Sequence, residues 1–344
     1  MKGQMADLHI RPRSRGLAQL APLERFQAVY RYAAQRARRG LLSLTFEVTR
    51  RCNARCDFCN YWREPRRQES LDLADVVRRL DPVFVVFCGG EPLLRSDIVD
   101  IVRRVAMVPG WRYHVLITNG YLLTREKGLL LDEAGLHQLN VSLDWPDDRQ
   151  SEERGLRGLF SRIERVVPAL TSEGVEVNLN TIIMRDNLRE MSAIARLAAE
   201  WGAKVTFTLY SEHCNGNDSH QFRREESGRL GEVVEQLIEL KARHHHITNN
   251  QFYLRECVQF IGGKRIPACP AGQKMVHISP RGMVKPCADL EPICHYTEFD
   301  NRSYAGSGCD LCWMACRGEV QAPVNLARIR EVVGWGQAPS SNPP

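Results

Sequence analysis

Residues 83–92 read VFVVFCGGEP: five consecutive apolar residues, then a cysteine, two glycines, an acidic residue and a proline. A short apolar run of this kind predicts a strand that is buried on both faces. Strands of this type belong to parallel sheets, because the crossover helices of such sheets cover both faces. The glycine pair allows another group to approach the backbone closely at the end of the strand.

Similar strands alternate with helices on either side of this segment. Strands are predicted at residues 44–48, 83–87, 113–117, 138–143, 175–183 and 204–210. Helices are predicted at residues 72–80, 97–107, 124–134, 156–172, 187–201 and 225–243. Six strand–helix repeats favour parallel pairing, in an open sheet or in a partial (βα)6 barrel of the TIM type. In both arrangements the active site is expected at the C-terminal ends of the strands.

The rest of the chain divides by composition. Residues 1–41 predict a basic helical extension, residues 42–248 hold the repeats, residues 249–330 are loop-rich with seven cysteines, and residues 331–344 predict a disordered tail. The basic helix is interpreted as a solvated surface helix; the alternative is contact with an anionic membrane or steering of an acidic substrate. The sequence contains no run of eighteen apolar residues and no secretory signal, so we expect a cytoplasmic protein with no transmembrane helix.

Twelve cysteines is a high number for a cytosolic chain, where closely spaced thiols bind metal more often than they form disulfides. Cys52, Cys56 and Cys59 form a first group with C-x3-C-x2-C spacing, directly after the first predicted strand. Three thiolates on one loop can hold three irons of a [4Fe–4S] cube and leave the fourth iron open. A zinc-binding loop and reduced structural thiols are the alternatives.

This first group, with the aromatic Phe58 before its last cysteine, resembles the signature of the radical S-adenosylmethionine (SAM) superfamily. In that family the open iron binds SAM, and one electron breaks the S–C5′ bond to give a 5′-deoxyadenosyl radical that abstracts hydrogen. Other strand ends extend the resemblance, with GGEP at residues 89–92, TNG at residues 118–120 and an SxD segment at residues 142–144. The cofactor-binding residues that it implies are Phe58, Gly89, Gly90, Glu91, Asn119, Ser142 and Asp144.

Several of these positions carry alternatives. Family members often have Thr or Ser where Cys88 stands, and we interpret this thiol as a packing residue. Asn119 is either a cofactor contact or a turn residue. Strand alternation places Asn178 and Asn180 on one face and Thr181 on the other, and Asn180 is the expected contact.

A second cysteine group occupies the C-terminal segment. Cys269-x12-Gly282-x4-Cys287, followed by Cys309-x2-Cys312-x3-Cys316, resembles the SPASM and twitch domains of radical SAM enzymes. The resemblance implies one auxiliary [4Fe–4S] cluster in a small C-terminal iron–sulfur domain of the twitch type, because no cysteine follows Cys316. Cys269 and Cys287 are expected ligands, two more are expected among Cys309, Cys312 and Cys316, and Cys294 is a weaker candidate. A structural zinc is the alternative.

The expected activity is reductive cleavage of SAM and hydrogen abstraction from a C–H bond of a small-molecule, lipid or peptide substrate. The outcome would be oxidation, epimerisation, or C–C or C–S bond formation, with electrons from a low-potential donor such as flavodoxin or ferredoxin. Cys214 is the candidate catalytic hydrogen donor; Glu212 and His213 lie beside it in the sequence, and Cys257 is a weaker candidate.

Two other classes of protein fit the sequence less well than this enzyme. An iron–sulfur or zinc regulator that binds nucleic acid leaves the GGEP-like and SxD-like strand ends unexplained, and no nucleic acid partner is expected. The intact cysteines argue against a binding protein with a decayed site.

Overall fold

The computed structural model describes residues 21–63 and 71–323 of the 344-residue chain. The first part of the predicted basic extension and the predicted C-terminal tail therefore lie outside the described residues. Within them, the extension contains helix α1, Pro22–Ala37. None of the helices in the described ranges is long and apolar enough to cross a bilayer.

Nine strands of the described chain form one sheet in the order β6-β5-β4-β3-β2-β1-β7-β8-β9. They are β1 Ser43–Thr49, β2 Phe84–Gly89, β3 Tyr113–Thr118, β4 Gln138–Ser142, β5 Val177–Ile183, β6 Lys204–Leu209, β7 Met275–Ile278, β8 Met283–Lys285 and β9 Cys294–His295. Strands β1 to β6 pair in sequence order and all are parallel. The sheet does not close, because β6 and β9 are its outer strands. The structure thus confirms the predicted α/β fold of the partial barrel type.

The crossover helices between the first six strands form a layer along this sheet. After α1, the helices of the described chain are α2 Leu73–Leu80, α3 Ile98–Ala106, α4 Arg125–Glu133, α5 Arg149–Glu153, α6 Leu159–Ser172, α7 Met191–Glu200, α8 Ser227–His244, α9 Gln251–Ile261 and α10 Ala315–Gln321. Neighbouring crossover helices contact each other, α2 with α3, α3 with α4, α4 with α6 and α7 with α8. Helices that touch in chain order lie side by side on one face of the sheet.

The two faces of the sheet differ in burial. Phe46 and Phe87 point toward the helix layer, are fully buried and stack with ring centroids 6.3 Å apart. Val86 and Cys88, at alternate positions of β2, are only half-buried. The prediction that this strand is buried on both faces is therefore wrong. An open barrel leaves its inner face accessible, and we call the face that carries Val86 and Cys88 the inner face.

The C-terminal segment is more regular than the sequence suggested. Residues 251–261, in the predicted loop-rich segment, form helix α9. Asn250 caps its N-terminus, because the Asn250 side chain accepts a hydrogen bond from the Tyr253 N–H. Strand β7 pairs in parallel with β1, and β8 and β9 continue the sheet as antiparallel strands. This segment therefore shares the sheet of the six repeats.

Candidate active site

The loop after β1 carries the first cysteine group at the C-terminal end of the sheet. Cys56 is buried, and Cys52 and Cys59 are half-buried. The Ala54 N–H donates to Cys52 Sγ at 3.4 Å, and the Trp62 indole N–H donates to the Cys56 carbonyl at 2.8 Å. Burial raises the pKa of all three thiols. A bound metal would instead hold them as thiolates.

The spacing of these thiols bears on the choice between zinc and an iron–sulfur cube. Tetrahedral zinc, with Zn–S bonds of about 2.3 Å, brings its sulfur ligands to about 3.8 Å from each other. In the described ranges, the only group of three Cys, His, Asp or Glu residues whose ligand atoms all lie within 4.8 Å of one another is Asp57, Glu153 and His220. The sulfur atoms of the first group are thus more widely spread than a zinc site requires. A cube, which gives each thiolate its own iron, accommodates that wider spread.

Gly89 and Gly90 bring the end of β2 against this loop. A Cβ atom on Gly90 would lie 2.1 Å from the Arg51 carbonyl oxygen, and one on Gly89 would lie 2.1 Å from that of Thr49. Because neither glycine has a Cβ atom, the two backbones can approach. The Gly90 N–H donates to the Thr49 carbonyl at 2.8 Å, and the Glu91 N–H donates to the Arg51 carbonyl at 2.7 Å. The glycines therefore allow close approach of the cysteine loop.

Glu91 is fully buried and joins the ends of β2 and β3. Its carboxylate accepts hydrogen bonds from the Leu93 N–H, the Thr118 hydroxyl and the Asn119 N–H, at 2.7–2.9 Å. Burial raises the pKa of Glu91, and these donors oppose that rise. The Asn119 side chain donates to Asn53 Oδ1 at 2.8 Å and accepts from the Tyr121 N–H at 2.9 Å. These contacts fit the interpretation of Asn119 as a turn residue. The hydrogen bond from Asn119 to Asn53 also ties this turn to the cysteine loop.

A buried arginine that sequence reasoning missed connects the predicted residues. Arg154, directly after α5, forms an ion pair with the fully buried Asp144. Its Nη1 lies 3.9 Å from Cys56 Sγ, and its guanidinium lies 5.6 Å from the centre of the Phe58 ring. Its Nε is buried and has no hydrogen-bond partner in the described part of the chain. Burial raises the pKa of the three thiols and of Glu91, and the charge of Arg154 opposes the rise.

Ser142 and Asn180 are neighbours on the inner face. They are paired residues of β4 and β5, and both are half-buried. Asn178 is fully buried and accepts a hydrogen bond from the Thr206 hydroxyl at 3.0 Å. Thr181 is also buried and donates to the Leu143 carbonyl at 2.7 Å. Asn180 is thus the more accessible asparagine of its strand.

A second polar cluster lies on β1, at a position the sequence analysis left unassigned. Glu47 is buried, and its carboxylate lies 2.8 Å from His277 Nε2 and accepts hydrogen bonds from Arg50 at 2.8 Å and Tyr61 at 2.9 Å. Burial raises the pKa of Glu47, but His277, Arg50 and Tyr61 outweigh it and lower that pKa to about 2. Cys88 pairs with Glu47 in register, and burial raises the pKa of its thiol.

The segment after β6 reaches the cysteine loop. Glu212–Cys214 form a single 3-10 turn, and the next residue, Asn215, donates from its side chain to the Asp57 carbonyl at 2.8 Å. The side chain of Cys214 lies outside the described part of the structure, so its predicted role stays a prediction. Cys257 is fully buried in α9, and burial raises the pKa of its thiol to about 12. This burial favours a structural interpretation of Cys257.

The second cysteine group also assembles. Cys269, Cys287, Cys312 and Cys316 lie near enough for the charge of one thiol to raise the pKa of another. Cys269 is buried, Cys287 and Cys312 are half-buried, and Cys316 is exposed. Cys309 affects Cys269 and Cys312, and its carbonyl accepts a hydrogen bond from the Cys269 N–H at 2.7 Å.

Cys294 lies apart from this group, in β9. Burial is the largest cause that raises the pKa of its thiol, and the charge of Glu298 is the second; no cysteine is among the causes.

A second buried arginine holds this group. Arg317 in α10 is fully buried, donates to the Cys312 carbonyl at 2.6 Å and to Gln321 Oε1 at 2.8 Å, and also donates to the Pro267 carbonyl. Its guanidinium lies 5.6 Å from the centre of the buried Trp313 ring. Each cysteine group thus lies beside one buried arginine, Arg154 for the first group and Arg317 for the second.

One family profile matches part of the chain. Residues 46–198 match the profile described as the Radical SAM superfamily. The AdoMet-dependent heme synthase of Oleidesulfovibrio alaskensis is 33% identical over 168 residues, which are 46% of this chain and 43% of that protein. The chain therefore matches less than half the length of that relative. The PqqA peptide cyclase of Gluconobacter oxydans is 27% identical over 268 residues, 73% of this chain and 71% of that protein.

Solved structures share the fold. SuiB of Streptococcus suis bound to S-adenosylmethionine superposes with a TM-score of 0.63 at 14% identity, covering 88% of this chain and 73% of that chain. Native anSMEcpe with bound AdoMet gives a TM-score of 0.60 at 18% identity, covering 78% of this chain and 82% of that chain. At these identities the likeness concerns the fold alone.

We predict that Gly90→Ala disrupts the cysteine loop. The added methyl group would lie 2.1 Å from the Arg51 carbonyl oxygen, so the loop has to move. We expect the iron retained after anaerobic reconstitution to fall by more than half, measured as iron and sulfide per chain. The matched control is Gly228→Ala in α8, where a Cβ atom meets nothing within 4 Å. Iron retention equal to that of the control would contradict this role of Gly90.

We also predict a pH-dependent contribution of Glu47 to stability. Its pKa is about 2 in the folded protein against an ordinary value of 4.5, so the contribution is complete above pH 4.5 and is lost as the pH falls toward 2. Glu47→Gln should lower the free energy of unfolding at neutral pH by about 3 kcal/mol at most, and the deficit should shrink in acid. Urea unfolding at several pH values measures it, with the exposed Glu164→Gln as control. A deficit that does not change with pH would refute the prediction.

Proposed function

We propose that this chain, which contains a radical SAM domain, is an enzyme that cleaves S-adenosylmethionine reductively and abstracts hydrogen from a substrate C–H bond. The thiols of Cys52, Cys56 and Cys59 would hold a [4Fe–4S] cluster. When bound, the cluster and SAM supply the electron and the 5′-deoxyadenosyl radical for this chemistry. The observation that carries the proposal is the convergence of these three thiols, Glu91 and Asp144 around the buried Arg154.

The donor set supports this assignment. Arg154 neutralises part of the charge that three thiolates and two carboxylates would bring to one buried site, which makes their ionisation less costly. Its orphaned Nε–H lacks an acceptor within the described ranges, and the carboxylate of SAM is the anionic group that we assign to it. Ser142 and Asn180, both half-buried on the inner face, would contact the rest of the cofactor.

The substrate would enter along the inner face. Glu47, Tyr61 and His277 are linked by hydrogen bonds there, with Cys88 beside them, so a polar group of the substrate has partners. The relatives include heme synthases and a peptide cyclase, and we propose a net oxidation or a bond formation on a small-molecule, lipid or peptide substrate. A low-potential flavodoxin or ferredoxin would supply the electron.

The test is formation of 5′-deoxyadenosine from SAM by the anaerobically reconstituted protein under a strong reductant. We expect the unmodified chain to release it, and Cys52→Ala to lose this activity together with the iron of the first site. Cys257→Ala, which removes a thiol outside both groups, should retain both. Zinc in place of iron at the first site, or undiminished 5′-deoxyadenosine from Cys52→Ala, would refute the proposal.

We further propose an auxiliary [4Fe–4S] cluster in the C-terminal segment, held by Cys269, Cys287, Cys312 and Cys316. In every pair among these four thiols, the charge of one raises the pKa of the other. Cys309 raises the pKa of Cys269 and Cys312 and packs beside Cys269, so the iron content of its variant tests the choice of these four. Four ligands would leave no open iron, so this cluster would relay electrons and would not bind the substrate.

Iron counting separates the ligands from the other cysteines. A Cys312→Ala/Cys316→Ala double variant should lower the iron content from about eight to about four per chain, because each cube holds four irons. Cys309→Ala and Cys294→Ala should keep the full content. Loss of half of the iron in Cys309→Ala, with retention in the double variant, would reverse the assignment.

A further inference from the structure

A third cluster of metal-binding side chains lies beside the cysteine loop and contains no cysteine. Asp57, Glu153 and His220 place their ligand atoms within 4.8 Å of one another, and no other trio in the described ranges does so. The three residues come from separate elements: the cysteine loop, the end of α5 and the segment after β6. Sequence spacing therefore gave no sign of this cluster.

His220 is held in an orientation that suits a metal ligand. Its Nδ1 is hydrogen-bonded to the Asp186 carboxylate, and its Nε2 lies 3.0 Å and 3.1 Å from the two oxygens of Asp57. Metal-bound histidines usually donate their other ring N–H to a carboxylate, a backbone carbonyl or water, which fixes the ring orientation. The rings of Phe58 and Tyr210 pack edge-on against the imidazole, at centroid distances of 6.2 Å and 5.6 Å. The plane of the imidazole is thereby fixed before any ion binds.

The two carboxylates complete the donor set. Asp57 and Glu153 lie side by side; burial and the charge of Asp57 raise the pKa of Glu153, and a cation bound between the two carboxylates would relieve their repulsion. The Asp57 side chain is 56% exposed, so an ion from solvent can reach it. The Asp57 backbone is held separately, through the hydrogen bond from Asn215 to its carbonyl.

We propose that Asp57, Glu153 and His220 bind one divalent transition-metal ion, with His220 Nε2 and one oxygen from each carboxylate as ligands. One imidazole and two carboxylates suit Mn²⁺, Fe²⁺ or Zn²⁺, and water completes the coordination. Because Asp57 follows Cys56 directly, the ion fastens the cysteine loop to α5 and to the segment after β6. This site does not depend on the proposed SAM chemistry, and its test does not use that activity.

The probe is Mn²⁺, which prefers oxygen and nitrogen ligands and leaves thiolate sites alone. Binding to the reconstituted holoenzyme is followed by loss of the electron paramagnetic resonance signal of free Mn²⁺, with the iron–sulfur sites in their oxidised, diamagnetic state. We expect one Mn²⁺ per chain. Glu153→Gln, which keeps the size of the side chain and removes a ligand charge, should weaken binding by about 10- to 100-fold. Asp186→Asn should weaken it by about tenfold, because it acts only through His220.

Glu190→Gln is the matched control, since Glu190 is a carboxylate on the nearby surface that is paired with Arg149 and lies outside the cluster. Its affinity for Mn²⁺ should equal that of the unmodified chain. Iron content and circular dichroism establish that each variant is folded and loaded. Absence of a stoichiometric Mn²⁺ site, or equal affinity in Glu153→Gln, Asp186→Asn and the control, overturns the proposal and leaves a hydrogen-bonded network only.

Discussion

The arrangement of the candidate site depends on one buried ion pair, between Arg154 and Asp144. An unpaired guanidinium in the protein interior would be strongly destabilising. The buried position of Arg154 therefore requires its ion pair with Asp144, just after β4. Once paired, Arg154 lies within reach of the cysteine loop and of the Phe58 ring. The Arg154 carbonyl also accepts a hydrogen bond from the Arg55 N–H at 2.8 Å. One residue therefore positions the loop through its backbone and sets its electrostatics through its side chain.

Besides Arg154, the ends of three strands hold the cysteine loop. The end of β2 contacts it through the Gly89–Gly90 backbone, Asn119 at the end of β3 bonds to Asn53, and Asn215 after β6 bonds to Asp57. None of these contacts involves a thiol. The scaffold thus holds the loop in place while the sulfur atoms stay available as ligands, which is the preorganisation that a metal site requires.

Elements with strong local signals could be predicted from the sequence, and contacts between distant segments could not. The six strand–helix repeats were found because their apolar periodicity is local, and the strand-end residues because their motifs are short. The sequence did not predict that Arg154 belongs to the site, because its neighbours Glu152 and Glu153 give this stretch the charge pattern of a solvated helix. Glu47 looked like a polar residue on an alternating strand, and its partner His277 is more than two hundred residues away. Helix α9 was overlooked because the cysteines, glycines and prolines that follow it suggested loops.

The parallel pairing of β7 with β1 covers a strand that truncation of the chain would expose. β1 is hydrogen-bonded on both sides, by β2 and by β7, so the strand that leads into the cysteine loop is an interior strand. A chain cut after α9 would expose the backbone of β1 as a bare edge, which is a template for intermolecular strand addition. The C-terminal segment therefore covers this edge of the sheet, and a chain shortened to its repeats would be prone to self-association through β1.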